Sequence, residues 1–155
     1  MRVEFLSELV TQYHASPNSG RRWTVRQPFR VLVDDAEILV PPLFWTDFAS
    51  VPSVVWPLLD PYDLGRAPVL HDFLYFAGWR DRNVCDDAFL AGMEADGISA
   101  WRRWAAYAAV RGFGGVVWSR YRRDNQKYQL ARIGYGYRLD RWKEPDGRPA
   151  QTIID

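Results

Sequence analysis

The hydrophobic pattern divides the chain into two regimes. Up to about residue 42 the apolar positions come in short β-rich runs, "WTVRQPFRVLV" over 23–33 and "EILVP" over 37–41. Asp34 and Asp35 lie between them, so the two runs read as a meander or hairpin ending near Pro41 and Pro42. Residues 3–13 read as a short helix or strand, and "SPNSGRR" over 16–22 as a loop by its Pro, Asn and Gly content. A loop "LFWTDFASVP" follows, and Pro52 and Pro57 punctuate the apolar segment "SVVWPLL". From Asp63 the period turns helical. Asp63 can cap a helix running to Gly78, with Pro68 tolerable only in its first turn. A second helix is predicted over about 84–96, capped by Asn83 and ended by Gly97, with Ile98 as the apolar partner of its C-terminal cap. Ser99 caps a third, "AWRRWAAYAAVRGF", which breaks at Gly114-Gly115, and "RIGYGYRL" reads as a short strand.

These elements predict an α+β protein: a small N-terminal antiparallel sheet or hairpin, about three packed helices and a basic aromatic C-terminal tail. The expected organisation is one domain over 1–142, with sheet 22–42, helical core 63–115 and basic segment 116–142, then a tail over 143–155. At 155 residues such a chain buries a core without covalent help, and its single cysteine excludes both a disulfide framework and a cysteine-rich zinc site. Glu4 and Glu8 interrupt the first apolar stretch, which therefore reads neither as a signal peptide nor as a membrane span. A cytoplasmic site of synthesis is the default expectation, compatible with later delivery inside a particle.

Charge adds a second division. The net +1 hides 8 Lys/Arg against 14 Asp/Glu over residues 1–100, and 10 against 2 over 101–142. A basic part of this kind meets phosphates, an acidic partner, or the acidic part of its own chain. The chain is also rich in aromatics, with 8 Trp, 8 Tyr and 8 Phe.

The candidate chemistry lies in "PVLHDFLYFAG", where His71 and Asp72 interrupt an apolar run. Buried ionisable groups are costly unless paired or used. On a helix His71 and Tyr75 share a face, while Asp72 sits about 100° round and meets a different neighbour. In the second helix Phe89, Leu90 and Met93 mark the inward stripe, and Asp86 falls on it while Asp87 points out. Consecutive helices joined by a short loop pack together, bringing Asp86 within reach of His71. A carboxylate that takes one imidazole N–H fixes the tautomer and leaves the other nitrogen free as a base. A structural role stands beside this: Asp86 near a helix N-terminus is favoured by free backbone N–H groups, and His71 and Tyr75 can be satisfied core residues.

The stretches "WTDFASVP", "VLHDFLY", "DDAF" and "WRRWAAYAAVRGFG" closely resemble a family of phage and prophage proteins catalogued as a domain of unknown function, family 1353. The likeness covers about residues 22–115 and implies a bacteriophage context. More locally, His71-Asp72-x-x-Tyr75 followed by Asp86 is similar to the active-site helices of the phospholipase A-two superfamily. That resemblance implies His71 as the base that activates water, Asp72 as a calcium ligand, and Asp86 with Tyr75 orienting the histidine. The superfamily's glycine-rich calcium loop has no counterpart here. Calcium or another divalent cation would need side-chain oxygen from Asp47, Thr46 or Ser50.

Other residues carry weaker chemistry. Ser50 and Ser53 lack the glycine-flanked elbow of a serine nucleophile. Cys85, beside Asp86, reads as a small packed apolar residue whose acidic neighbours hold it as thiol. His14 reads as a surface or loop residue, and two histidines cannot build a multi-histidine zinc site. The third helix sets Trp101, Trp104 and Tyr107 on one side, at a spacing usual for core. Arg102 and Arg103, with Arg120, Arg122 and Arg123 further on, are candidate contacts to phosphate or a partner. The tail interleaves basic and aromatic residues as single-strand nucleic-acid binders do, without a recognised module. Two classes stay open: a phage-encoded, phospholipase-like hydrolase with a His71–Asp86 dyad, acting on host-envelope lipid, and a non-catalytic virion or tail component that assembles with other phage proteins. Reachability of His71 from solvent separates them.

Overall fold

The computed structural model describes residues 1–18, 20–48 and 60–123. Alternation of buried and half-exposed side chains builds the first layer. In β4 (Phe29–Val33) Phe29, Val31 and Val33 face the core, and Arg30 and Leu32 face outward. β4 is the centre of a three-stranded antiparallel sheet between β1 (Val3–Phe5) and β5 (Ala36–Val40), with Val3 opposite Val33 and Phe29 opposite Val40. Asp34 and Asp35 form the predicted tight connection, Asp34 taking a positive φ of 53°.

A second three-stranded sheet pairs β3 (Arg21–Val25) with β2 (Thr11–Asn18) and β6 (Trp45–Thr46). Two expectations are corrected here. "SPN" belongs to strand β2, whose pairing with β3 shifts register between Tyr13 and Asn18 and so admits turn-forming residues. "WT" is a strand, because Trp45 and Thr46 find the open edge of β3 opposite Thr24 and Trp23.

The helices follow. A 3-10 helix (Pro61–Leu64) is capped by Asp60, whose side chain accepts from the Tyr62 N–H at 2.9 Å. α1 (Ala67–Ala77) starts later than predicted, because Gly65 at φ +70° turns the chain between the two helices. Asp63 therefore does not cap α1. The acceptor comes from across the fold: Asp96 Oδ2 takes the Arg66 N–H at 2.5 Å, and its Oδ1 takes the Arg66 guanidinium at 2.6 and 2.9 Å. α2 (Arg82–Ala95) is capped by Asp81 rather than Asn83, the Asp81 carboxylate accepting from Val84 N–H at 3.3 Å. Its other end is the predicted glycine motif: Gly97 N–H donates to Glu94 O at 2.9 Å and Ile98 N–H to Met93 O at 3.0 Å.

α3 (Ala100–Arg123) does not break at Gly114-Gly115. Its first half packs Ala106, Ala109 and Val110 into a core with Phe89 and Met93 of α2, Leu64 and Ala67. Its second half lies against α1, with Trp118 on Tyr75 and Tyr121 on Phe76. The main core joins Phe29, Val31 and Ile38 of the sheet to Leu70 and Leu74 of α1 and Cys85 and Ala88 of α2. Trp101 and Trp104 stand outside both cores, 61 % and 56 % exposed. Ala106, Ala109 and Val110, not the tryptophans, fill the space toward α2.

Candidate functional site

The site forms where α1 and α2 pack. His71 and Tyr75, one turn apart on α1, both turn to Asp86 on α2. Asp86 Oδ1 lies 3.0 Å from His71 Nε2 and accepts from the Tyr75 hydroxyl at 2.6 Å. The imidazole also packs on the Tyr75 ring at 4.1 Å and on Phe89 at 4.9 Å between centroids. The cluster is sealed: His71 is 2 % exposed and Asp86 0 %.

Burial sets the protonation states. Desolvation pulls the His71 pKa below its ordinary value of 6.5, against the opposing hydrogen bond and charge of Asp86, so the ring is neutral at pH 7. A neutral ring donating from Nε2 carries its lone pair on Nδ1, and Nδ1 is buried with no hydrogen-bond partner among the described residues. For Asp86, burial alone would raise the pKa. The hydrogen bonds from His71 and Tyr75, with the charge of Arg82, outweigh it and hold the carboxyl below its ordinary value. Burial and the bond to Asp86 push the Tyr75 phenol well above its usual 10.

Asp86 Oδ2 receives no hydrogen bond among the described residues, but two guanidiniums face it, Arg111 at 3.6 Å and Arg82 at 4.0 Å. Arg111 is steadied by Asn83 Oδ1, and Arg82 by the backbone carbonyl of Arg111 at 3.1 Å. Sequence reasoning missed both arginines. Arg82, one turn before Asp86, had a signal in its i, i+4 spacing; Arg111 arrives from α3 and had none. Asp87 is half-buried rather than solvent-facing, because the Tyr107 hydroxyl donates to it at 2.6 Å. Gly114 does not break the helix. It is the point where α3 passes over Tyr75, a Cβ there falling 2.5 Å from the phenol oxygen.

The predicted metal ligands are partly assembled. β6 brings Thr46 to α1, where its hydroxyl donates to Asp72 Oδ2 at 2.5 Å and accepts from Phe48 N–H at 3.1 Å. Asp47 is adjacent in sequence, and Ser50 and Ser53 lie outside the described residues. Among the described residues no three His, Cys, Asp or Glu side chains gather as a metal site. One carboxylate and one hydroxyl already bonded to each other fall short of the six or more oxygens that calcium takes. These residues do not fit a calcium site by themselves.

The other candidates are dispersed. Arg102 sits 3.6 Å from Asp63, and Arg103 is bound to Glu94 and the Ile98 carbonyl, both at 3.0 Å. Arg122 closes the end of α1, donating to Tyr75 O at 2.6 Å. Arg120 is exposed, and Arg123 is the last residue of α3. Cys85 is buried with its thiol directed at Trp79 O, 2.9 Å away, and burial with the charges of Asp86 and Asp81 pushes its pKa up to about 12. His14 is half-buried and meets Thr24 Oγ1 at 2.8 Å.

The fold is thus an α+β protein with a buried histidine, aspartate and tyrosine cluster between its first two helices. The chain belongs to the family described as a protein of unknown function, DUF1353, whose model matches residues 23–110. That span holds β4, β5, β6, α1, α2 and the whole cluster. No curated protein and no solved structure matches the chain.

Proposed function

We propose that this is a phage-encoded hydrolase-like protein in which His71 is the base and ester lipid of the host envelope is the substrate. The observation that carries the reading is that His71 Nδ1 has no hydrogen-bond partner among the described residues, opposite an Nε2 that is held by Asp86. In that role Nδ1 takes a proton from water as the water oxygen attacks the ester carbonyl. Asp86 stabilises the imidazolium, and the proton returns to the departing alkoxide, giving acid and alcohol. Tyr75 and the two arginines keep Asp86 anionic and aimed. No step is assigned to a metal.

The 2 % exposure of His71 favours a second reading, a non-catalytic virion or tail component in which the cluster fastens α1 to α2. Mass spectrometry of fatty acid released from phospholipid vesicles decides between them, using wild type, His71→Ala, and wild type with chelator. Release that His71→Ala abolishes while the fold is retained supports the hydrolase. No release from folded wild type with calcium present, or release indifferent to His71→Ala, leaves the structural reading. Loss on chelation alone would assign a cation that the described residues do not account for.

A further inference from the structure

We propose that the exposed face of α3 is a docking surface for an anionic lipid membrane. The face is apolar where a solvated helix would be polar: Trp101, Trp104, Phe113, Val116 and Val117 are exposed at 61, 56, 56, 74 and 47 %. Ala105, Ala108 and Gly112, also exposed, join the two ends without interposing a charge. The stripe winds round the helix because α3 changes partner from α2 to α1 along its length. From Trp101 to Val117 it extends about 24 Å at the helical rise. An exposed apolar patch of this extent marks an interaction site.

Charge selects the partner. Residues 100–123 contain six arginines and no Asp or Glu. At the tryptophan end the charge is balanced, Arg102 against Asp63 at 3.6 Å and Arg103 against Glu94 at 3.0 Å. Toward the other end Arg120 is exposed with no acidic residue on the helix to offset it, while Arg122 is turned inward to the Tyr75 carbonyl, and residues 123–142 add 5 Lys/Arg against 2 Asp/Glu. A second copy would set this basic end against its like. An anionic surface answers it, and tryptophans beside arginines suit the headgroup region, where one end of a side chain is apolar and the other wet. No helix among the described residues is long and apolar enough to cross a membrane, so α3 would lie along the surface.

This deepens the envelope-directed reading and rests on it for the choice of lipid, but it is tested by binding without turnover. Full-length protein is co-sedimented with phosphatidylcholine vesicles and with vesicles containing phosphatidylglycerol, at low and high salt. The expected result is preference for phosphatidylglycerol, weakened by salt, and a loss of about tenfold or more in partitioning for Trp101→Ser/Trp104→Ser and for Val116→Asp/Val117→Asp. All four side chains are exposed, and circular dichroism verifies that the variants fold. No binding to either vesicle, or binding that both variants leave intact, overturns the proposal. A wild-type dimer that the same substitutions dissociate also overturns it and gives the face to a second copy. Binding without ester hydrolysis upholds docking and removes only the hydrolase.

Discussion

Asp86 Oδ1 accepts from two buried donors on one helix, and this shared acceptor is the strongest organising contact at the site. Removing it strands both. Leaving a buried donor unpaired costs about 1–3 kcal/mol each, and breaking a buried ionic partnership about 3–5. Asp86→Ala is therefore expected to lose about 3–5 kcal/mol in urea unfolding, and Tyr75→Phe, which leaves one acceptor bond intact, about 1.5–3. Equal losses in the two variants would mean that Asp86 is not the shared centre. Much of this was legible in the sequence, because Asp86 falls on the stripe of Phe89 and Met93, and His71 and Tyr75 lie one turn apart. The arginines behind Asp86 were less so. Arg111 and Asp86 meet through tertiary packing of α3, and nothing local in either segment records that.

At the scale of elements, three glycines in α3 separate conformational cost from packing. A glycine within a helix ordinarily costs about 1 kcal/mol relative to alanine. At Gly112 a Cβ meets nothing within 4 Å, and at Gly115 it makes an ordinary contact at 3.7 Å with Arg82. At Gly114 it would fall 2.5 Å from the Tyr75 oxygen, which is pinned by Asp86 and cannot retreat. Gly112→Ala is thus expected to raise the free energy of unfolding in urea by about 0.5–1 kcal/mol, and Gly114→Ala to lower it by about 1–3 kcal/mol. A stabilising Gly114→Ala would show that α3 does not press on Tyr75. The glycine pair looked like a helix end because propensity describes an isolated segment, whereas the contacts of Trp118 and Tyr121 with α1 carry the helix onward. The caps show the same limit. The glycine end of α2 was readable from Gly97 and Ile98, a motif complete within a few residues. The start of α1 was not, since Asp96, 30 residues away, accepts from Arg66.

At the scale of the molecule, the pH dependence of stability reads how well the two helices seal the site. His71 has its pKa lowered by burial, so between its ordinary 6.5 and the folded value the unfolded chain binds a proton that the folded chain refuses. Stability therefore falls as pH drops below about 6.5, with a limiting slope near 1.4 kcal/mol per pH unit for one proton. Asp86 acts in the same direction at lower pH: its depressed pKa contributes stability that is present above its ordinary 3.8 and lost as pH falls through the folded value. His71→Gln keeps a polar side chain of similar reach and cannot titrate. It is expected to be less stable than wild type at pH 7 and to show a flatter decline between pH 6.5 and 5 in urea unfolding. His14 is common to both proteins and cancels in the difference. Parallel declines would mean that the ring protonates as easily in the folded protein as in the unfolded one, with the hydrogen bond and charge of Asp86 offsetting the cost of burial. An imidazolium that forms so readily is what a working base requires, so that outcome would strengthen the hydrolase reading, and a stability measurement bears directly on the choice between the two readings.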